Sequence, residues 1–186
     1  MSLTQQIELA SDTLRAGGVI AYPTEAVWGL GCDPHNEVAV RRLLDLKQRE
    51  MGKGLIMIAA DIAQITPLLS GLSPEQREAV AASWPGPFTW VVPVPESFPF
   101  WVRGEHLSVA VRVSAHPLVQ ALSRAFGGPL ISTSANRAGE SPCVSEAAVH
   151  EQFGQQLDYV LPGVLGGDVK PSEIRDALTG AILRAR

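Results

Sequence analysis

The clearest fold signal lies near the N-terminus, in the stretch Val19-Ile20-Ala21-Tyr22-Pro23-Thr24-Glu25-Ala26-Val27-Trp28-Gly29-Leu30-Gly31-Cys32-Asp33-Pro34. Its first four residues are largely apolar and predict a short buried strand, which Pro23 ends. The remainder, residues 24–34, contains two glycines and predicts an irregular loop where the backbone can approach a ligand closely. Glu25 and Asp33 in this loop could bind a cation or orient a substrate amine, although turn formation explains them equally well.

Predicted helices and strands alternate along the rest of the chain. Helices are expected over residues 3–15, 37–48, 116–126 and 145–153, with Asn36 as the cap of the second, and two short helices begin at Asp61 and Ser73. Strands are expected over residues 55–60, 88–94, 107–113, 129–133 and 181–184. A proline- and aromatic-rich loop over residues 95–103 separates two strands that should be neighbours in one sheet. The alternation predicts an α/β fold in a single domain over residues 1–186.

The composition bounds the class of protein. A chain of 186 residues with 46% apolar and 18% charged residues can bury about 70% of its extended-chain surface. Its apolar runs are too short to span a bilayer, and its first residues have no signal-peptide pattern, so we expect a cytoplasmic protein without a membrane role. Cys32 and Cys143 belong to no CxxC pattern and are expected to be free thiols. The four histidines are scattered, so no protein-ligated transition metal is expected.

A cluster of cations follows the second predicted helix, in Lys47-Gln48-Arg49-Glu50-Met51-Gly52-Lys53, which holds two of the three lysines in the chain. Ammonium and guanidinium groups donate charge-assisted hydrogen bonds to phosphate oxygens, so the cluster is typical of a polyphosphate site. A solvated helix end explains the charges equally well. The net charge of −4 argues against a general nucleic-acid-binding role, but the local field around this cluster could be positive.

A second polar cluster, Ser132-Thr133-Ser134-Ala135-Asn136, directly follows the apolar run Pro129-Leu130-Ile131. Short polar side chains at the end of a strand commonly line ligand pockets. Ser132, Ser134 and the Asn136 amide are expected to supply neutral hydrogen-bond donors beside the cations.

Arg112 lies in a strand pattern, Ser108-Val109-Ala110-Val111-Arg112-Val113, whose alternation places Ser108, Ala110 and Arg112 on one face. A strand arginine in such a position binds a carboxylate or phosphate, or forms a structural salt bridge. The segment Trp84-Pro85-Gly86-Pro87-Phe88-Thr89-Trp90 could stack a base, although core and turn packing explain it better. The chain lacks a P-loop, and Gly29-Leu30-Gly31 lacks the third glycine of a dinucleotide fingerprint.

Four ordered motifs resemble the YrdC family, in particular its short bacterial members. They are the opening segment of residues 22–34, the KxR of Lys47-Gln48-Arg49, the SxN of Ser134-Ala135-Asn136, and the closing segment Pro171-Ser172-Glu173-Ile174-Arg175-Asp176. The resemblance runs from about Val19 to Arg184. It implies an open twisted sheet with flanking helices and a concave basic cavity. It also implies the formation of threonylcarbamoyl-AMP and pyrophosphate from L-threonine, bicarbonate and ATP, for the threonylcarbamoyladenosine modification of tRNA.

The resemblance assigns roles to individual residues. The residues expected to bind ATP are Lys47, Arg49, Lys53, Ser108, Ser132, Ser134, Asn136 and Arg184. Those expected around threonine and the adenylate are Thr24, Arg112 and Ser172. The tight spacing of Lys47 and Arg49 suggests that these two are catalytic and stabilise the transferring phosphate and the departing pyrophosphate. Mg²⁺ is expected to accompany ATP, and no metal ligand is assigned in the protein.

Three positions depart from the pattern of the family. Glu50 stands where proline often follows KxR, and Ala26 replaces a threonine common in the longer relatives. Ile58 lies nearest to the position of a histidine that contacts threonine in those relatives, so threonine binding must depend on other groups.

An RNA-binding module that recognises tRNA or a ribosomal precursor through the basic rim is the alternative function. The acidic net charge weakens it. Pyrophosphate release that depends on threonine and bicarbonate would support the enzyme, whereas salt-sensitive RNA binding without turnover would support the module. The proteins that transfer the threonylcarbamoyl group to tRNA are the expected downstream partners.

Overall fold

The computed structural model describes residues 1–168 and 170–186, which form one mixed sheet with helices packed against it. The helices are α1 (Leu3–Arg15), α2 (Glu37–Lys47), α3 (Pro74–Ala82), α4 (Phe100–Arg103), α5 (Pro117–Phe126) and α6 (Glu146–Phe153). The strands are β1 (Ile20–Pro23), β2 (Trp28–Gly31), β3 (Ile56–Ala59), β4 (Phe88–Pro93), β5 (Ser108–Val113), β6 (Leu130–Ser134), β7 (Tyr159–Val160), β8 (Glu173–Asp176) and β9 (Ile182–Arg184).

The strand order in the sheet is β7-β1-β2-β6-β3-β5-β4-β8-β9. Strand β6 joins two halves, because it pairs antiparallel with β2 on one side and with β3 on the other. Parallel pairs link β1 to β7, β3 to β5 and β4 to β8, and the remaining pairs are antiparallel. The sheet is therefore mixed and open, which confirms the α/β prediction and the predicted neighbourhood of β4 and β5.

The helix ends follow the sequence signals. Asn36 caps α2 by accepting a hydrogen bond from the Ala39 amide, and Ser73 forms a capping box with Gln76 at the start of α3. Gly17 adopts a φ of 83° after α1, a conformation that residues with a side chain rarely adopt. Local sequence thus sets where these helices begin and end. None of the helices in the described residues is long and apolar enough to cross a membrane.

The two faces of the sheet have different coverings. Met57, Val111 and Ile131 point into the larger apolar core, which α2 and α3 also join. On the other face, Ile58 and Leu130 pack with α1 and α5 in a smaller core. Because side chains alternate along a strand, the residues of β3 to β6 that α1 and α5 do not cover leave an open stretch of this second face. That stretch becomes the floor of the cavity described below.

The prediction of an irregular loop over residues 24–34 was wrong, because residues 28–31 form β2 in a hairpin with β1. Glycine acts here as a packing residue: a Cβ on Gly31 would lie 2.7 Å from the Ile131 carbonyl oxygen and 2.7 Å from Tyr22 Cε1. The loop predicted over residues 95–103 contains α4, and β7 and β8 were not predicted. Two short 3-10 turns, Ile62–Gln64 and Thr66–Leu69, replace the helix expected from Asp61.

We predict that Gly31→Ala destabilises the protein by about 2 kcal/mol, the usual cost of overpacking, because the neighbouring backbone carbonyl and tyrosine ring must move. Gly128→Ala is the matched control, since a Cβ there meets nothing within 4 Å. Urea unfolding followed by circular dichroism measures both. Equal stability of the two variants would refute the packing role of Gly31.

Candidate active site

A cavity of about 700 Å³ lies on the open stretch of the sheet. Its floor is built from alternate residues of neighbouring strands, such as Ile56 of β3, Thr89 of β4 and Ala110 of β5. Residues 24–29, the turn after α2 and the segment that leads into β8 contribute to its wall. Four segments that are far apart in sequence therefore meet at one hollow.

The structure brings together most of the predicted site residues. Those that line the cavity are Thr24, Arg49, Lys53, Ser108, Arg112, Ser132, Ser134, Ser172 and Arg184. Lys47 and Asn136 are not part of the lining. All three residues predicted around threonine and the adenylate line the cavity. The KxR and SxN motifs are adjacent, because Lys47 donates hydrogen bonds to Ser134 and Asn136.

The cavity carries an excess of positive charge although the whole chain is acidic. Among the described residues, six cationic side chains line it, against three carboxylates. The cations are Arg49, Lys53, Arg103, Arg112, Lys170 and Arg184, and the carboxylates are Glu25, Asp168 and Asp176. Arg103 and Lys170 were missed from sequence as site residues; the scarcity of lysine could have indicated Lys170. Such a field attracts an anionic ligand.

Arg49 and Arg184 hold their charges in partly dry surroundings. Arg49 donates to the Gly54 carbonyl at 3.0 Å, and its Nε is buried without a hydrogen-bond partner among the described residues. Arg184 donates to the Ser172 carbonyl at 2.7 Å. Burial lowers the pKa of both guanidinium groups, and the charge of Arg112 lowers the pKa of Arg184 further. A bound phosphate would stabilise both cations by supplying the missing negative charge.

Arg112 forms an ion pair with Glu25 at 2.5 Å, and both side chains are about one-tenth exposed. Glu25 also accepts hydrogen bonds from the Ser114 hydroxyl at 2.7 Å and the Ala115 amide at 3.0 Å. Burial alone would raise the pKa of Glu25, but the Arg112 charge and these hydrogen bonds outweigh it and leave the pKa below its ordinary value. The structural salt bridge considered for Arg112 is therefore present, and it lies in the cavity wall.

Lys47 lies behind the wall, where 4% of the residue is exposed. Its Nζ donates to the carbonyl oxygens of Ser134 and Asn136, which occupy two of its three hydrogens. Burial, with a smaller effect from Arg49, lowers the pKa of Lys47 to about 8. The direct contacts predicted between ATP and Lys47 or Asn136 do not follow from this arrangement, because Lys47 donates to the end of β6 and the loop after it, and Asn136 belongs to that loop outside the cavity lining.

The tryptophans of residues 84–90 are core and turn material, as expected, whereas Pro87 and Thr89 of the same segment line the cavity. Trp90 is buried in the larger core, and Trp84 donates its Nε1 hydrogen to the Phe88 carbonyl at 2.8 Å. Both cysteines are buried free thiols. Within residues 1–168 and 170–186, His, Cys, Asp and Glu side chains form no group of three that could hold a metal ion.

The Sua5/YciO/YrdC family model, described as "Telomere recombination", matches residues 12–185. The chain belongs to this family. Among its relatives are proteins named threonylcarbamoyl-AMP synthase: one from Xanthomonas campestris pv. campestris is 53% identical over 186 residues, covering 99% of this chain and 100% of the relative. Another, from Chromohalobacter salexigens, is 56% identical over 171 residues and covers 92% of each chain.

Solved structures of the Sua5/YciO/YrdC family share the fold. The structure of P. abyssi Sua5 complexed with L-threonine has a TM-score of 0.82 and 32% identity over 93% of this chain, which spans 51% of that longer protein. E. coli YciO also has a TM-score of 0.82, at 23% identity, covering 98% of this chain and 89% of that one. The resemblance to the YrdC family and the predicted fold are thus confirmed.

We predict that Glu25→Gln lowers the free energy of unfolding by about 3 kcal/mol at pH 7, because it leaves the Arg112 charge buried without its partner. Asp12→Asn is the control, since it breaks an exposed pair with Arg15 and should cost less than about 1 kcal/mol. Urea unfolding at pH 7 measures both.

The same pair predicts a pH dependence. The pKa of Glu25 is lowered on folding, so its contribution is present above the ordinary glutamate pKa of 4.5 and is lost as the pH falls through the folded-state pKa. Wild type and Glu25→Gln should therefore converge in stability in acid. A difference that stays constant from pH 7 down to acid unfolding would contradict this role of Glu25.

Proposed function

We propose that this chain is a threonylcarbamoyl-AMP synthase, which forms L-threonylcarbamoyladenylate and pyrophosphate from L-threonine, bicarbonate and ATP. The observation that carries the proposal is the cation-lined cavity, assembled from the KxR, SxN and closing motifs in an acidic chain. The names of relatives aligned over nearly the whole chain support the activity. The complex of P. abyssi Sua5 with L-threonine supports that amino acid as a substrate.

The reaction places two anions against each other. Threonine and bicarbonate condense, with loss of water, to a carbamate. One carbamate oxygen then attacks the α-phosphorus of ATP, the bond from the α-phosphorus to the bridging oxygen breaks, and pyrophosphate leaves. Both reactants are negatively charged, so their repulsion raises the activation barrier, and the need to align them raises it further. A preorganised positive cavity lowers the repulsion and holds the two reactants in line, and no protein nucleophile is needed.

One group of cations in the cavity is proposed to bind the triphosphate of ATP. Arg49, Lys53 and Arg184 are proposed to bind the triphosphate, because their charges face the cavity and no buried carboxylate among the described residues pairs with them. Arg49 is the proposed catalytic residue, since its guanidinium is held at one edge by the Gly54 carbonyl while Nε lacks a partner in the described part of the chain. Mg²⁺ enters as part of the MgATP substrate and neutralises phosphate charge there.

Arg112, Thr24 and Ser172 are proposed to form the threonine and adenylate end of the cavity. Arg112 is held at the Glu25 carboxylate and at the Gly86 carbonyl, 3.1 Å from its Nε, which fixes the plane of the guanidinium. A guanidinium fixed in this way suits the threonine carboxylate. Ser172 is oriented by a 2.8 Å hydrogen bond with Thr89. These groups take the place of the histidine that Ile58 replaces.

The product adenylate is proposed to pass to proteins that transfer the threonylcarbamoyl group to tRNA. A purely RNA-binding module is the weaker proposal, because the chain is acidic and its cations concentrate in a hollow that suits a nucleotide.

We predict that the purified protein releases pyrophosphate only when ATP, Mg²⁺, threonine and bicarbonate are all present, and that mass spectrometry detects the threonylcarbamoyl adenylate. Arg49→Ala should lower kcat/KM for ATP by about 100-fold, as removal of a transition-state donor does. Arg41→Ala is the control, because Arg41 forms only an exposed pair with Glu37 among the described residues and should leave the rate unchanged. Turnover that is independent of threonine, or equal rates in both variants, would refute the proposal.

A further inference from the structure

The loop after β6 is held from behind by Lys47. Its buried ammonium donates to the carbonyl oxygens of Ser134 and Asn136, the latter at 2.8 Å. Its own carbonyl oxygen accepts a hydrogen bond from the Ala138 amide at 2.8 Å. Lys47 thus fixes the end of β6 at Ser134 and two points of the loop that follows, at Asn136 and Ala138.

The Asn136 side chain is fixed in one orientation. Its Nδ2 donates to the carbonyl oxygens of Arg137 and Glu140, each at 2.9 Å. Carbonyl oxygens only accept hydrogen bonds, so the amide nitrogen must lie on that side. Asn136 Oδ1 therefore faces the Ser134 hydroxyl, with 2.5 Å between the two oxygens.

This orientation decides the polarity of Ser134. An amide oxygen has no hydrogen, so the contact requires Ser134 to donate its only hydroxyl hydrogen to Asn136. Ser134 lines the cavity, and what it can offer there is the lone pairs of its oxygen. A phosphate oxygen also carries only lone pairs and would repel it. Groups that carry an N–H or O–H hydrogen, such as those of a nucleoside, are complementary to it.

We propose that Asn136, supported by Lys47, is a positioning residue that makes Ser134 a hydrogen-bond acceptor, so that Ser134 binds an N–H or O–H group of the nucleoside and not a phosphate oxygen. This proposal rests on ATP being the substrate, as proposed above. It reverses the expectation from sequence that Ser134 and Asn136 both donate to the ligand. It also accounts for two motif residues, Lys47 and Asn136, that lie outside the cavity lining.

The test compares two probes that differ in the nucleoside. Isothermal titration calorimetry measures the binding of MgATP and of inorganic triphosphate with Mg²⁺ to wild type and Ser134→Ala. We expect Ser134→Ala to weaken MgATP binding by about 3- to 10-fold, the worth of one hydrogen bond, and to change triphosphate binding by less than about twofold. Equal weakening of both probes, weakening of triphosphate alone, or no change in MgATP binding would overturn the proposal.

Analogues identify the donor group. The same comparison uses 2′-deoxy-ATP, 3′-deoxy-ATP and inosine triphosphate, which lack the two ribose hydroxyls and the exocyclic amine in turn. The analogue that lacks the contacted group should bind equally to wild type and Ser134→Ala. If Ser134→Ala weakens the binding of all three analogues as much as it weakens the binding of ATP, the proposal is overturned.

The positioning role has its own readout. Asn136→Ala frees the Ser134 hydroxyl to donate, so it should lower the preference for MgATP over triphosphate about as much as Ser134→Ala does, and the double variant should lower it no further. A merely structural role would weaken both probes alike and leave the preference unchanged, which would overturn the assignment. Product formation is measured separately by mass spectrometry. If the wild-type protein binds MgATP but forms no threonylcarbamoyl adenylate, the proposed function is refuted. The binding measurements still decide whether Ser134 acts as a hydrogen-bond acceptor.

Discussion

The cavity depends on cations that are held by neutral carbonyl oxygens. Arg49 donates to the Gly54 carbonyl, Arg184 to that of Ser172, and Arg103 to carbonyls of its own turn, including those of Gly104 and His106. A carbonyl dipole orients a guanidinium without cancelling its charge, whereas a carboxylate would cancel it. The hollow therefore keeps a positive field in a chain whose net charge is −4. Two cavity cations differ in having a carboxylate partner: Arg112 forms a buried ion pair with Glu25, and Lys53 forms an exposed one with Glu50.

The sheet supplies the frame for this arrangement. Strand alternation sends Met57, Val111 and Ile131 into one core and leaves Ile56, Arg112 and Ser132 on the opposite face. Helices α1 and α5 cover only part of that face, so the uncovered part can hold a ligand. Packing and recognition thus use opposite sides of the same strands, and a one-residue slip in register would exchange them.

Local signals in the sequence were sufficient for the five longer helices, the caps of α2 and α3 and most of the central strands, but not for α4 or the 3-10 turns after Asp61. They failed at β2, where Gly29 and Gly31 resemble loop residues but serve close packing against β6 and Tyr22. Sequence patterns predicted most of the polar residues that line the cavity, but not Arg103 or Lys170. The contacts of Lys47 with Ser134 and Asn136 join segments nearly ninety residues apart, which no local pattern indicates. The Glu25–Arg112 ion pair also joins segments that are far apart in sequence, and a local pattern cannot indicate which carboxylate pairs with an arginine on a strand.

A crystal structure of the protein with L-threonine and a non-hydrolysable ATP analogue tests the central claim most directly, namely that distant motifs form one electropositive site for both substrates. We expect the triphosphate beside Arg49, Lys53 and Arg184, with the threonine carboxylate on Arg112. A nucleotide bound outside this cavity, or a triphosphate directed away from those cations, would contradict it.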